Sequence, residues 1–68
     1  MITVKFTNVG RGKKTWTAIK EKGELTYNWL YKQIKEQQAL MSSDIDFLDD
    51  GTILAGFRDV GKYQIINL

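Results

Sequence analysis

The sequence predicts an α+β domain in which one helix crosses one face of an antiparallel sheet of four or five strands, in the order ββα-ββ(β). Segments at the beginning and end of the chain have the composition of short strands separated by turn residues. The segment between them has apolar residues at helical spacing. Because the 68 residues contain no proline, repeat or low-complexity stretch, we expect a single domain spanning residues 1–68.

The first predicted element is a β-hairpin that joins Ile2–Thr7 to Lys14–Lys22 through a glycine-containing loop. Ile2–Thr7 alternates strictly between apolar and polar residues, which predicts one buried face and one exposed face. In the second strand, Trp16 and Ala18 share a face. We therefore expect the indole of Trp16 to pack in the core, against the apolar face of the first strand.

The predicted helix runs from Tyr27 to about Met41, with Thr26 as its N-cap. At about 100° per residue, its apolar stripe faces the sheet. Trp29 falls on nearly the opposite side, near Leu40. We therefore expect Trp29 to be exposed, and a large exposed aromatic residue indicates a contact surface. The stripe itself consists of Tyr27, Leu30, Tyr31, Ile34 and Met41.

Further strands are predicted at Asp44–Leu48, Thr52–Arg58 and Lys62–Leu68, with turns at Asp49–Gly51 and Asp59–Gly61. The last two strands carry apolar residues on both faces, and strands of this kind are usually covered on both sides. One helix covers only one face, so we expect a partner or a second copy to cover the other. A small domain without disulfides often gains stability by self-association, which predicts a homodimer or larger homo-oligomer.

The composition argues against catalysis and metal binding. The chain has no cysteine and no histidine, which removes disulfides, nearly all zinc, haem and iron–sulfur sites, and the common nucleophile–base pairs. We therefore expect a protein that is not an enzyme and that binds no cofactor or metal. The N-terminal segment alternates in polarity, unlike a signal peptide, and no apolar run approaches the ~18 residues of a membrane span. These features predict a cytoplasmic protein without membrane contact, in the host cytoplasm if the protein is viral.

Two segments partly match known binding loops, and both fail on spacing. Gly10–Thr15 has glycines and lysines, but it lacks the earlier glycine of a phosphate-binding loop, and a strand is predicted after it where that motif needs a helix. The acidic residues around Gly51 do not occupy the positions of an EF-hand calcium loop. Turn formation explains these acids, and mimicry of nucleic-acid phosphates is the alternative. The acids are Asp44, Asp46, Asp49 and Asp50.

Charge is unevenly distributed along the chain. Residues 1–40 contain eight Lys or Arg and three Glu, giving +5, whereas residues 41–68 contain two Lys or Arg and five Asp, giving −3. Such a distribution can steer a charged partner or favour head-to-tail contacts between copies. The basic N-terminal hairpin therefore predicts, as an alternative function, contact with nucleic-acid phosphates. The residues that would make this contact are Lys5, Arg11, Lys13 and Lys14.

The leading interpretation is a small non-enzymatic protein that binds another protein and blocks its surface. Small size and the lack of catalytic residues are typical of inhibitors of host machinery encoded by phages and mobile elements, including anti-CRISPR and other counter-defence proteins. Besides nucleic-acid binding, a second alternative is an oligomer that sequesters a small nucleotide between its subunits. The predicted protein-binding surface consists of Trp29, Leu40, Gln33, Glu36 and Lys32.

Overall fold

The computed structural model describes residues 1–67, and all of their side chains except that of Asn67. These residues form one helix and five strands, all in a single antiparallel sheet, which confirms the predicted α+β fold. The strand order across the sheet is β2-β1-β5-β4-β3. The elements are β1 (Ile2–Val9), β2 (Lys14–Lys20), α1 (Tyr27–Glu36), β3 (Ile45–Phe47), β4 (Thr52–Ala55) and β5 (Arg58–Asn67).

The sheet is built around β1, which pairs with β2 on one side and β5 on the other. In the first hairpin Phe6 lies opposite Trp16, and their rings stack with centroids 4.6 Å apart and planes 9° from parallel. The prediction that Trp16 packs against the apolar face of β1 is therefore confirmed. Its indole Nε1 is buried without a hydrogen-bond partner within residues 1–67.

The core lies between the helix and the face of the sheet that carries the alternating apolar residues of β1. Six side chains there are almost completely buried, whereas Lys5 and Gln64, which pair on the opposite face, are exposed. That opposite face also contains Ile19, which is 56% exposed. Self-association through this face stays a prediction. The six buried side chains are Val4, Phe6, Val9, Ile34, Ile45 and Ile53.

The helix is shorter than predicted, since it ends at Glu36 and not at Met41. Its N-terminus is as expected, with the Thr26 hydroxyl accepting a hydrogen bond from the Trp29 amide at 3.2 Å. At the other end the chain leaves the helix through a Schellman motif, in which Gln38 has a φ of +55° and the Ala39 amide donates to the Ile34 carbonyl. No helix within residues 1–67 is long and apolar enough to cross a membrane.

The early end of the helix has a packing reason. After Ile34 the core-facing side would continue with glutamine at positions 37 and 38, so a longer helix would bury little further apolar surface. Because packing of an apolar stripe supplies most of a helix's stability in a protein, nothing favours its continuation. Met41, predicted to be part of the stripe, is 92% exposed.

The last hairpin turns earlier than predicted. The turn consists of Gly56 and Phe57, with φ values of +57° and +70°, which is the pattern of a two-residue type I′ turn. The predicted turn at Asp59–Gly61 instead lies inside β5, where Ile53 pairs with Gly61 and Leu54 with Asp59, which leaves Val60 as an extra residue. An extra residue in one strand forms a β-bulge, which bends the strand locally. Residue types that favour turns can therefore occur at a bulge inside a strand.

Candidate binding surfaces

The predicted surface around Trp29 is not an exposed face of the helix. Trp29 is half-buried and packs against the hydrophobic core, and Gln33 on the same side is half-buried as well. The helix is rolled toward this side, and Tyr27, which the stripe places at the edge of the core, is 46% exposed. Lys32 and Glu36 are exposed as expected. The prediction that Trp29 is exposed is therefore wrong, whereas a binding role for this side of the helix stays a prediction.

Leu40 lies elsewhere, because the helix ends before it. It is half-buried, packs against the core, and lines an open groove of about 890 Å³ at one end of the sheet. Three segments meet there: the β1–β2 turn, residues 38–44 and the β4–β5 turn. A hydrogen bond from the Gly10 amide to the Val60 carbonyl, 2.9 Å long, joins the β1–β2 turn to β5. We call this site the loop-end groove; its exposed lining residues include Arg11, Lys13, Met41, Asp44 and Arg58.

Gly10 allows the segments of the loop-end groove to approach closely. Its φ is +77°, and a Cβ at this position would lie 1.9 Å from the Ala39 carbonyl oxygen. Any other residue would therefore force the chain after the helix away from the β1–β2 turn. This packing keeps Leu40 and Met41 beside the cationic turn.

The structure brings together only part of the predicted phosphate-contact set. Arg11 and Lys13 line the loop-end groove, where Arg58, which the sequence analysis did not identify, joins them. Lys14 instead donates from Nζ to the Gln37 carbonyl at 2.5 Å, next to the helix C-terminus, where a cation is favourable. Lys5 lies on the open face of the sheet.

Phe57 is the most exposed large apolar residue beside this groove. Its side chain is 94% exposed, and its neighbours in the chain, Gly56 and Arg58, both line the groove. A φ of +70° is unfavourable for a bulky residue, because Cβ approaches the backbone in the left-handed region. Gly56 between two short β-like segments is the sequence signal for this turn. Phe57 makes the signal hard to recognise, because a bulky residue is unusual at the second position of such a turn.

A second site lies near the N-terminus of the helix. Three aromatic rings, those of Tyr27, Phe47 and Tyr63, line an open depression of about 490 Å³ together with Asp49 and Asp50 of the β3–β4 turn. Phe47 contacts both tyrosines edge to face, with centroid distances of 5.5 Å to Tyr27 and 5.8 Å to Tyr63. We call this site the acidic aromatic pocket. No residue lines both it and the loop-end groove.

Hydrogen bonds fix the walls of the acidic aromatic pocket. The Tyr27 hydroxyl donates to the Ile45 carbonyl at 2.5 Å, and the Tyr63 hydroxyl donates to the Leu48 carbonyl at 2.6 Å. Burial, followed by the charges of Asp49 and Asp50, raises the pKa of Tyr63. Burial, followed by the charge of Asp46, likewise raises the pKa of Tyr27.

The four predicted acids do not form one cluster with a single role. Asp50 stabilises its own turn, since its Oδ1 accepts a hydrogen bond from the Thr52 amide at 2.9 Å, and hydrogen bonds from Thr52 lower the pKa of Asp50. Asp49 lies beside it on the acidic aromatic pocket, whereas Asp44 lines the loop-end groove. Within residues 1–67, no group of three or more acidic side chains is placed to hold a metal ion. Turn formation thus accounts for Asp50, and phosphate mimicry stays a prediction.

No protein-family model, no curated protein and no solved structure matches this chain. The loop-end groove with Phe57 and the acidic aromatic pocket are therefore the features of the molecule that bear on function.

Proposed function

We propose that the protein is a non-enzymatic binding protein that covers a surface of another protein, as a small inhibitor of the phage or mobile-element type does, and that it makes this contact through the loop-end groove and Phe57. The exposure of Phe57 is the observation that carries the proposal. The absence of histidine and cysteine from the chain supports a non-catalytic role.

Phe57 has no role in the core that would explain its position. Its ring is 94% exposed, and its left-handed backbone costs on the order of 1–2 kcal/mol relative to glycine. Aromatic residues that fill a pocket on a partner supply much of the energy of protein–protein interfaces. Contact with a partner accounts for both features: the ring is exposed because the partner binds it, and the binding energy offsets the cost of the left-handed backbone.

The residues around Phe57 fit the same use. Met41 is 92% exposed on the groove, and methionine adapts its shape to irregular partner surfaces. Arg58 and Arg11 supply cationic donors beside these apolar groups, and arginine is enriched at protein interfaces. The surface thus combines apolar anchors with a polar rim.

A second candidate function is supported by the same cations. Arg11, Lys13 and Arg58 line one groove next to an exposed aromatic ring, an arrangement that also suits single-stranded nucleic acid, with phosphates on the cations and a base stacked on the ring. Direct binding of nucleic acid over a salt series tests this second function, because phosphate contacts release counterions.

The test is quantitative affinity capture from nuclease-treated lysate of the cells in which the protein occurs. The bait proteins are the wild type, a Phe57→Gly variant and an Ile19→Thr variant, which removes another exposed apolar residue from a different surface. We expect Phe57→Gly to reduce recovery of the specific partner by about tenfold or more, as loss of a central aromatic contact does, and Ile19→Thr to leave recovery unchanged.

Equal recovery of every captured protein by the wild type and Phe57→Gly would contradict the proposal. The nucleic-acid candidate is measured separately, by fluorescence anisotropy of labelled single-stranded DNA and RNA over a salt series. If affinity falls steeply with salt and Arg58→Gln reduces the slope, nucleic-acid binding replaces protein binding as the function of this groove.

A further inference from the structure

We propose that the acidic aromatic pocket is a binding site for an arginine side chain presented by another protein. The proposal goes beyond the function assigned to the loop-end groove, because the two sites share no lining residue and are tested separately.

The aromatic walls provide the first argument. Tyr27, Phe47 and Tyr63 line one depression, with neighbouring rings inclined by 73° and 80°. Aromatic faces carry negative partial charge and attract cations, so rings that border a depression can contribute to the binding of an organic cation there. Burial of these rings in a larger core would have been the ordinary arrangement, but here they border an open depression.

The carboxylates provide the second argument. Asp49 and Asp50 lie on the rim, and within residues 1–67 no cation forms an ion pair with either of them; the ion pair found there joins Lys62 to Asp59. The helix N-terminus at Thr26 also borders the pocket and contributes a positive partial charge of about one half. The two carboxylates carry full negative charges, and after burial these charges are the next cause that raises the pKa of Tyr63. Lys62, which pairs with Asp59, acts on Asp50 only through its charge.

The pocket is also preorganised. The hydroxyls of Tyr27 and Tyr63 are both held by backbone carbonyls, and Asp50 is anchored to the Thr52 amide. A ligand therefore does not need to order these side chains when it binds, which removes one of the costs of association.

Arginine fits this combination better than the other biological cations. Its planar guanidinium group stacks on aromatic rings and at the same time donates several hydrogen bonds to carboxylates. A lysine ammonium is a compact, strongly hydrated charge, which loses more on leaving water. A trimethylated lysine uses the rings, but it has no N–H group to offer to Asp49 or Asp50.

The test is an NMR titration of the isotope-labelled protein with four short peptides that differ in one central residue: arginine, citrulline, lysine or trimethyllysine. Citrulline is the neutral analogue of arginine and has nearly its shape. We expect the arginine peptide to shift the resonances of the pocket residues, and to bind about tenfold more tightly than the citrulline peptide. Absence of shifts with arginine, or equal affinity for citrulline, would overturn the proposal; tighter binding of lysine or trimethyllysine would do so as well.

Two variants form a matched pair for the same titration. Asp49→Asn removes a carboxylate that lines the pocket in an exposed turn, and Glu36→Gln removes an exposed carboxylate at the far end of the helix that does not line the pocket. We expect Asp49→Asn to weaken the arginine peptide about fivefold and Glu36→Gln to change its affinity less than about twofold. Equal losses in both variants would mean that the peptide responds only to net charge, which contradicts a specific site. Phe57→Gly is expected to leave the titration unchanged, so failure of one proposal is distinguishable from failure of the other.

Discussion

Trp29 on the helix and Phe57 in the β4–β5 turn are large aromatic residues in opposite environments. The indole of Trp29 is packed against the core, whereas the ring of Phe57 is 94% exposed on a backbone that disfavours bulky residues. Apolar area at position 29 thus stabilises the fold, and apolar area at position 57 does not. This difference in environment separates a role in folding from a role in binding. An exposed aromatic residue whose substitution leaves the fold intact, as we expect for Phe57, is the better candidate for contact with a partner.

Substitution at position 29 gives the largest expected effect. Trp29→Ala should lower the free energy of unfolding by about 2 kcal/mol, less than the loss for a fully buried tryptophan, because the side chain is only half-buried. Urea denaturation followed by circular dichroism measures it. Lys32→Ala, at an exposed position of the same helix, is the control and should change stability by less than about 0.5 kcal/mol. If Trp29→Ala lowered the free energy of unfolding no more than Lys32→Ala does, the proposed difference between Trp29 and Phe57 would be wrong.

Substitution at position 57 is expected to have a smaller effect of opposite sign. In Phe57→Gly, relief of the left-handed backbone gains about 1–2 kcal/mol, and the greater freedom of glycine in the unfolded chain offsets about 0.5–1 kcal/mol of it. We therefore expect a net stabilisation on the order of 0.5 kcal/mol in the same denaturation experiment. A destabilisation of about 1 kcal/mol or more would show that the ring contributes to the fold and would weaken its assignment as a partner contact.

The smallest expected effect concerns the turn beside the acidic aromatic pocket. Hydrogen bonds from Thr52 lower the pKa of Asp50 below its ordinary value. Its charged form therefore stabilises the fold above about pH 4, and this contribution is lost as pH falls through the lowered pKa, because the unfolded chain takes up the proton first. Asp50→Asn keeps an oxygen acceptor for the Thr52 amide but removes the titration.

Thermal unfolding of the wild type and Asp50→Asn between about pH 2 and pH 6 compares the two. The wild type should be the more stable above pH 4, and the difference should shrink in more acidic solution. A difference that is constant over the whole range would indicate that the carboxylate charge has no part in holding this turn.

Local sequence signals were sufficient for most of the fold. The alternation in Ile2–Thr7 identified β1 and its buried face, and Thr26 identified the start of the helix, because each depends on residues that are neighbours in sequence. The end of the helix was not predictable in the same way. It depends on Gln38 adopting a left-handed conformation, which glutamine seldom does, and on the absence of core to pack against beyond Ile34.

The candidate sites were less predictable than the fold. A helical projection gives relative angles but not the roll of the helix on the sheet, and the roll decides that Trp29 is covered and Tyr27 partly exposed. The acidic aromatic pocket combines Tyr27, Phe47 and Tyr63 from a helix and two strands. Their proximity follows from strand pairing over a long separation in sequence, which no local pattern encodes.

The pairing of β1 with β5 has a consequence for how the chain acquires its structure. Thr3 lies opposite Asn67, so the middle of the sheet is completed by strands from the two extremes of the described chain. Contacts with so large a separation in sequence are slow to form, because a long loop must close before they yield any stabilisation. While the chain is being synthesised, the first hairpin and the helix emerge from the ribosome before β5, the strand that pairs with β1. We expect the sheet to be completed in one cooperative step once β5 is available, and apolar surface of β1 and the helix to be accessible to chaperones before that.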